Sequence, residues 1–252
     1  MELGLERKVV LVTGGSRGIG KAIAQAFYKE GAKVVIAARN EQDLAACKQE
    51  MKGLITYSVD MMVESERKQL IENVVNECDR IDILINNVGG SNGSTVVDTE
   101  LDLFKEAMEF NFYTAVDFSK QVYPVMKQQQ SGVIINISSI SGRESGGKAT
   151  YNAAKAAMIS FTKAMADEVI QDGIRVNGIA PGAILHPTGN WQRRLDANPE
   201  KINRYVKDNI PAGRFGTVEE VANVALFLAS EKASWVVGAT LNVDGGQSRS
   251  NF

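Results

Sequence analysis

The sequence predicts one α/β domain built on a doubly wound parallel sheet of about seven strands, with helices on both faces. Three observations carry that expectation. Short apolar runs alternate with longer amphipathic stretches along the whole chain. The runs are apolar almost throughout, not at every second position, as in strands covered on both faces. A glycine-rich turn, Thr13-Gly14-Gly15-Ser16-Arg17-Gly18-Ile19-Gly20, leads from the first run directly into a helical pattern.

Residues 8–12, 33–37, 55–59, 81–85, 133–137, 175–179 and 240–243 read as strands. Residues 18–30, 41–51, 64–76, 101–128, 151–171 and 218–229 carry helical periodicity between them. The repeated strand–helix order calls for right-handed crossovers. No repeat, low-complexity tract or shift in composition marks a linker, so residues 1–252 read as a single domain. Residues 182–213 are irregular, hold three of the five prolines, and carry Trp191 and the Arg193-Arg194 pair. A loop of that length is long enough to act as a lid, and 183–213 is assigned as the substrate lid.

Composition removes several classes of function. The 28 basic and 30 acidic side chains give a net charge of −2, with no basic footprint for nucleic acid or an anionic membrane. No apolar run reaches ~18 residues, and the start lacks the pattern of a signal peptide, so a cytoplasmic location is expected. Cys47 and Cys78 stand far apart without partners for a zinc site, which leaves free thiols. With His186 as the one histidine, no metal is expected and proton chemistry falls to other groups.

The glycine turn has the form of a phosphate cradle. Gly14, Gly18 and Gly20 let the backbone approach a pyrophosphate, Ser16, Arg17 and Ile19 lie between them, and the helix N-terminus adds amide donors and a positive dipole end. Residues 15–21 also fit the GxxxxGK of a nucleoside-triphosphate loop, but Ala22 stands where that motif needs a hydroxyl for magnesium. After the second strand the chain reads Ala37-Ala38-Arg39-Asn40, without the carboxylate that would accept the ribose hydroxyls of NAD. Arg39, with Arg17 from the turn, suits a 2′-phosphate instead, so NADP(H) is the expected cofactor. Further on, Tyr151 and Lys155 are four residues apart in a helical pattern, which stacks phenol and ammonium on one face. A cation beside a phenol lowers its pKa toward use as a general acid/base.

Together with Asn86-Asn87-Val88-Gly89, Ser138-Ser139, Ala180-Pro181-Gly182 and Val243-Asp244-Gly245-Gly246, these motifs occur in an order that resembles the short-chain dehydrogenase/reductase family. The similarity spans essentially the whole chain and is greatest to compact bacterial members such as 3-oxoacyl carrier-protein reductases and sugar or alcohol dehydrogenases. It implies a Rossmann-type fold, with Tyr151 as acid/base and Lys155 lowering its pKa and holding the nicotinamide ribose. A serine would polarise the reacting oxygen. Spacing to the tyrosine points to Ser138 and spacing to Gly142 points to Ser139, the one preferred because strand and glycine anchor it. The resemblance also implies that Asn111 kinks its helix behind the lysine, that Asp60 meets the adenine and that Asn87 lies near the cofactor. Pro181, Gly182 and Ile184 would lie along the nicotinamide. Here the chain departs from the family: its threonine is replaced by His186, with Thr188 two residues on.

The function implied is hydride transfer between nicotinamide and a small carbonyl compound or secondary alcohol. A non-catalytic dinucleotide-binding scaffold of the same fold is the alternative, and the joint presence of serine, tyrosine, lysine and asparagine weighs against it. Epimerisation or dehydration on the same fold is a third possibility. The lid, with Trp191, Ile202 and Tyr205 beside Arg193, Arg194 and Arg204, permits an acidic or phosphorylated carbonyl, an acyl thioester or a sugar. Apolar stripes at Phe104, Met108 and Phe112, and at Met158, Phe161 and Met165, lead to the expectation of a homotetramer or homodimer packed through these helices.

Overall fold

A computed structural model describes residues 2–251 of the chain. Seven strands among them form one sheet: β1 (Val9–Thr13), β2 (Lys33–Ala38), β3 (Ile55–Ser58), β4 (Ile83–Asn86), β5 (Gly132–Ile137), β6 (Ile174–Pro181) and β7 (Thr240–Val243). Every pairing is parallel and the order is β3-β2-β1-β4-β5-β6-β7. Helices α1 (Gly18–Lys29), α2 (Glu41–Glu50), α3 (Glu64–Cys78), α4 (Leu101–Met108), α5 (Thr114–Gln129) and α6 (Ala149–Val169) connect the strands, followed by α7 (Asn190–Ala197), α8 (Pro199–Asn209) and α9 (Val218–Ala229).

The unbroken apolar runs have a direct cause. Val10, Val12, Val34 and Ile36 face Ile23 and Phe27 of α1, Leu44 of α2 and Val221 of α9. Their neighbours Leu11, Val35, Leu84 and Val176 face Leu70 of α3, Phe118 of α5 and Met165 of α6 on the other side. Each such side chain contributes about 1.5–3 kcal/mol on burial, so both faces are mostly apolar, and buried polar exceptions such as Asn136, Arg175 and Asn177 are hydrogen-bonded. From β1 the chain winds outward to β2 and β3, then crosses to β4 and winds the opposite way. The loops leaving β1 and β4 therefore part, and a crevice opens at their carboxyl ends.

Three expectations need correction. The helix expected over 101–128 is α4 and α5 joined by a π-helical turn at Glu109–Tyr113, because the Asn111 side chain turns inward and bonds to the Ala107 carbonyl and to both backbone groups of Gly90. The segment expected to act as a lid is mostly helical: Asn198 caps α8 through the Lys201 amide, and Pro199 occupies its first turn, where a missing N–H costs nothing. Of the two apolar stripes, Met158 and Met165 are buried core, whereas Phe104, Met108, Phe112 and Phe161 remain half-buried. Cys47 and Cys78 are buried free thiols. No helix among the described residues is long and apolar enough to cross a membrane.

Candidate active site

The crevice is a cleft of about 1310 Å³ running from the glycine turn, past the ends of β4 and β5, to the lid. At its floor Gly14 and Gly18 have φ values of 65° and 53°, a left-handed conformation that glycine adopts without strain. The Asn87 side-chain amide donates to the carbonyls of Thr13 and Gly14, both at 3.1 Å, and ties the turn to the end of β4. A Cβ on Gly20 would overlap the Gly14 carbonyl oxygen, so glycine there lets α1 begin against the turn.

Lys155 is 2% exposed, yet its ammonium lines the cleft and donates to the Ile137 carbonyl at 2.8 Å. Tyr151, in the first turn of α6, leaves that ammonium 5.5 Å from its ring centroid. The two serines are separated by what they bond. Ser138 donates its hydroxyl to the Lys155 carbonyl at 3.0 Å and is thereby committed to the helix backbone. Ser139 accepts from the Ser141 amide at 3.1 Å and turns its hydroxyl toward the Tyr151 phenol.

Electrostatics at this point differ from the expectation of a lowered phenol. Burial pushes Tyr151 up to about 12, opposed by the Ser139 hydroxyl, and burial brings Lys155 down to about 8. Removal of water is the largest effect on both groups, and the ammonium donates to the Ile137 carbonyl with no hydrogen bond to the phenol among the described residues. At neutral pH the pair is a protonated phenol beside an ammonium.

Most of the residues singled out in the sequence line this cleft: Gly14, Arg17, Gly18, Ile19, Arg39 and Asp60 at one end, Asn87, Ser139, Tyr151 and Lys155 in the middle, and Pro181, Gly182 and Ile184 toward the lid. Ser16, Gly20 and Asn111 lie behind the lining. Ser16 turns inward, its carbonyl facing the Cys47 thiol, and Asn111 is 1% exposed and holds Gly90. Arg17 is engaged: its guanidinium pairs with Asp43 of α2. Arg39 is exposed, and its side chain has no hydrogen-bond or ion-pair partner among the described residues. An unpaired guanidinium and the absent carboxylate after β2 fit a dinucleotide phosphorylated on its ribose.

Sequence reasoning missed part of the cleft at the end nearest residues 183–213. Gln247 accepts from the Ala183 amide at 2.8 Å and donates to the Tyr205 hydroxyl at 2.9 Å, which couples the lid to the segment after β7. Its signal was the Val243-Asp244-Gly245-Gly246 motif just before it, to which no task was assigned. Glu144 is a second such residue: it lines the cleft and accepts from the Arg249 amide. Trp191 stacks on Tyr205 at 4.9 Å, with Arg194 over its ring at 5.1 Å.

Comparison with known proteins places this geometry in context. The family model described as Enoyl-(Acyl carrier protein) reductase matches residues 14–248. A 3-oxoacyl-[acyl-carrier-protein] reductase of Thermotoga maritima is 36% identical over 247 residues, covering 96% of this chain and 98% of its own. The Escherichia coli protein of the same name is 35% identical, with coverage of 97% and 98%. The crystal structure of L-sorbose reductase from Gluconobacter frateurii, complexed with NADPH and L-sorbose, is similar at a TM-score of 0.92 and 32% identity, covering 99% of this chain and 100% of that one.

Proposed function

The chain belongs to the short-chain dehydrogenase/reductase family of oxidoreductases, and we propose that it is an NADP(H)-dependent reductase of a small carbonyl compound with Tyr151 as its acid. The observation that carries this reading is the convergence of Tyr151, Ser139 and Lys155 at the midpoint of the cleft, between the glycine turn and the lid. Nicotinamide, when bound, supplies the hydride for reduction or accepts it for oxidation.

The side chains do the rest. Ser139 donates a hydrogen bond to the carbonyl oxygen and polarises it. Tyr151, protonated at neutral pH, gives its proton to that oxygen as the oxygen becomes basic. The Lys155 ammonium then faces a phenolate and stabilises it, an interaction stronger in this dry site than in water. Gly14, Gly18 and the N-terminus of α1 receive the pyrophosphate, and Arg39 receives the 2′-phosphate. Asn111 is a positioning residue: through Gly90 it holds the loop that runs past Lys155, where a Cβ on Gly89 would lie 3.1 Å from the ammonium nitrogen.

The relatives' names span acyl-carrier-protein thioesters and a ketose, so the substrate class is open to direct assay. NADPH deuterated at nicotinamide C4 and a panel of ketoses, simple ketones, oxoacids and oxoacyl thioesters serve as the test. Reduction to an alcohol carrying deuterium on the former carbonyl carbon is the expected result. Cofactor binding without label transfer to any member of the panel would instead favour the scaffold reading.

A further inference from the structure

One imidazole joins the phosphate-binding turn to the lid. His186 is half-buried and lines the cleft just after β6. A methyl group placed on Gly18 would come 2.8 Å from its Cε1 and 3.0 Å from its Nε2, and one placed on Gly189 would come 2.8 Å from Nε2. The ring is therefore wedged between the start of α1 and the residue that caps α7. Its Nδ1 lies 3.3 Å from the Thr188 hydroxyl, while Nε2 has no hydrogen-bond partner among the described residues. That unpartnered nitrogen sits at the turn where an anion would be received.

We propose that His186 is a proton-linked ligand of the dinucleotide pyrophosphate: as imidazolium it donates from Nε2 to a phosphate oxygen above the N-terminus of α1, and so ties the lid to the bound cofactor. The proposal rests on the reading of this cleft as a dinucleotide site. Charged groups near the ring are few. The turn brings Arg17, which is paired with Asp43, and α7 brings Arg193 and Arg194, the second of which stacks on Trp191. The segment 182–188 carries no carboxylate and no other cation. Burial alone holds the imidazole below its ordinary value, with no charge opposing it.

A pyrophosphate beside the ring reverses that balance, since an adjacent anion favours the charged form. Binding then takes up a proton between the lowered pKa of the free protein and the raised pKa of the complex. Affinity is greatest below the first value and declines as pH rises through the second, about tenfold for each unit separating them. A neutral ring serving only as a spacer between Gly18 and Gly189 would give no such dependence.

The chain has a single histidine, so in untagged protein its ring protons are resolved by NMR without assignment. We expect a midpoint below the usual histidine value in the free protein, raised by about one unit or more with saturating NADPH and equally with NADH. NADH lacks the 2′-phosphate, which titrates in the same range, and so isolates the pyrophosphate contribution. The dissociation constant of NADH, measured by fluorescence from pH 5.5 to 8, should tighten toward acid in the wild type. His186→Gln, which keeps the size and the donor but cannot titrate, should flatten the profile and bind within about twofold of wild type at pH 8. An imidazole midpoint unmoved by either dinucleotide, or an acid-tightened profile retained in His186→Gln, overturns the role of His186 while leaving the cofactor reading intact. Failure of both dinucleotides to bind overturns the two together.

Discussion

On the proposed reading, single side chains decide which cofactor this cleft prefers, and their charges are not equivalent. The sequence offers Arg17 and Arg39 as two cations for one phosphate, but Arg17 is held by Asp43 and only Arg39 is uncompensated. The ion pair is partly exposed and contributes little to stability, so its consequence lies in where the guanidinium points. A charge-assisted bond from Arg39 is worth about 1.5–3 kcal/mol, a preference for NADPH over NADH of roughly tens-fold. Arg39→Asp should reverse the ratio of kcat/KM values, whereas Asp43→Asn should release Arg17 and widen it severalfold. Unchanged ratios in both variants would remove the 2′-phosphate from this end of the cleft. The Tyr151–Lys155 spacing was legible because an i, i+4 pair is a local property of a helix. The protonation of the pair was not, because it depends on burial that residues outside this helix create around the two groups.

Among the elements, the strands and the helices that alternate with them were read correctly, whereas the π turn and the two helices inside the irregular segment were not. All seven strands were legible, with ends within two residues of those expected and β7 unchanged. The π turn at Glu109–Tyr113 was foreshadowed only by the family's asparagine, since apolar periodicity continues through it. Helices α7 and α8 were missed although Gly189, Asn198 and Pro199 supply starts and caps, because both are short and polar overall and bury few side chains, so their apolar positions are too few to stand out. The π turn has a testable consequence. Asn111→Ala leaves the Gly90 N–H and carbonyl without partners, a loss of about 1–3 kcal/mol that should lower the melting temperature by several degrees. If the turn also positions the loop beside Lys155, kcat should fall at least tenfold while KM for the carbonyl substrate changes less than about threefold. A loss of stability with kcat intact would reduce Asn111 to a structural role.

At the scale of the whole molecule, the sheet order alone places the cleft. The reversal of winding between β1 and β4 opens the crevice lined by most of the residues proposed for the cofactor, and a strand–helix alternation with one glycine turn is enough to expect a crevice there. Assembly is less directly written. Phe104, Met108, Phe112 and Phe161 stay half-buried and Tyr113 is 50% exposed on the outer side of α4, α5 and α6, a surface suited to a second copy. Light scattering at micromolar concentration should report a dimer or tetramer, and Phe112→Glu should shift it toward monomer; a monomeric wild type would refute this packing. Tyr151→Phe tests the chemistry most directly, because the ring packing is kept and only the transferable proton is lost. We expect turnover to fall by about 10²–10⁴-fold with the dissociation constant of NADPH unchanged. Retention of most of the wild-type turnover by this variant would contradict Tyr151 as the acid.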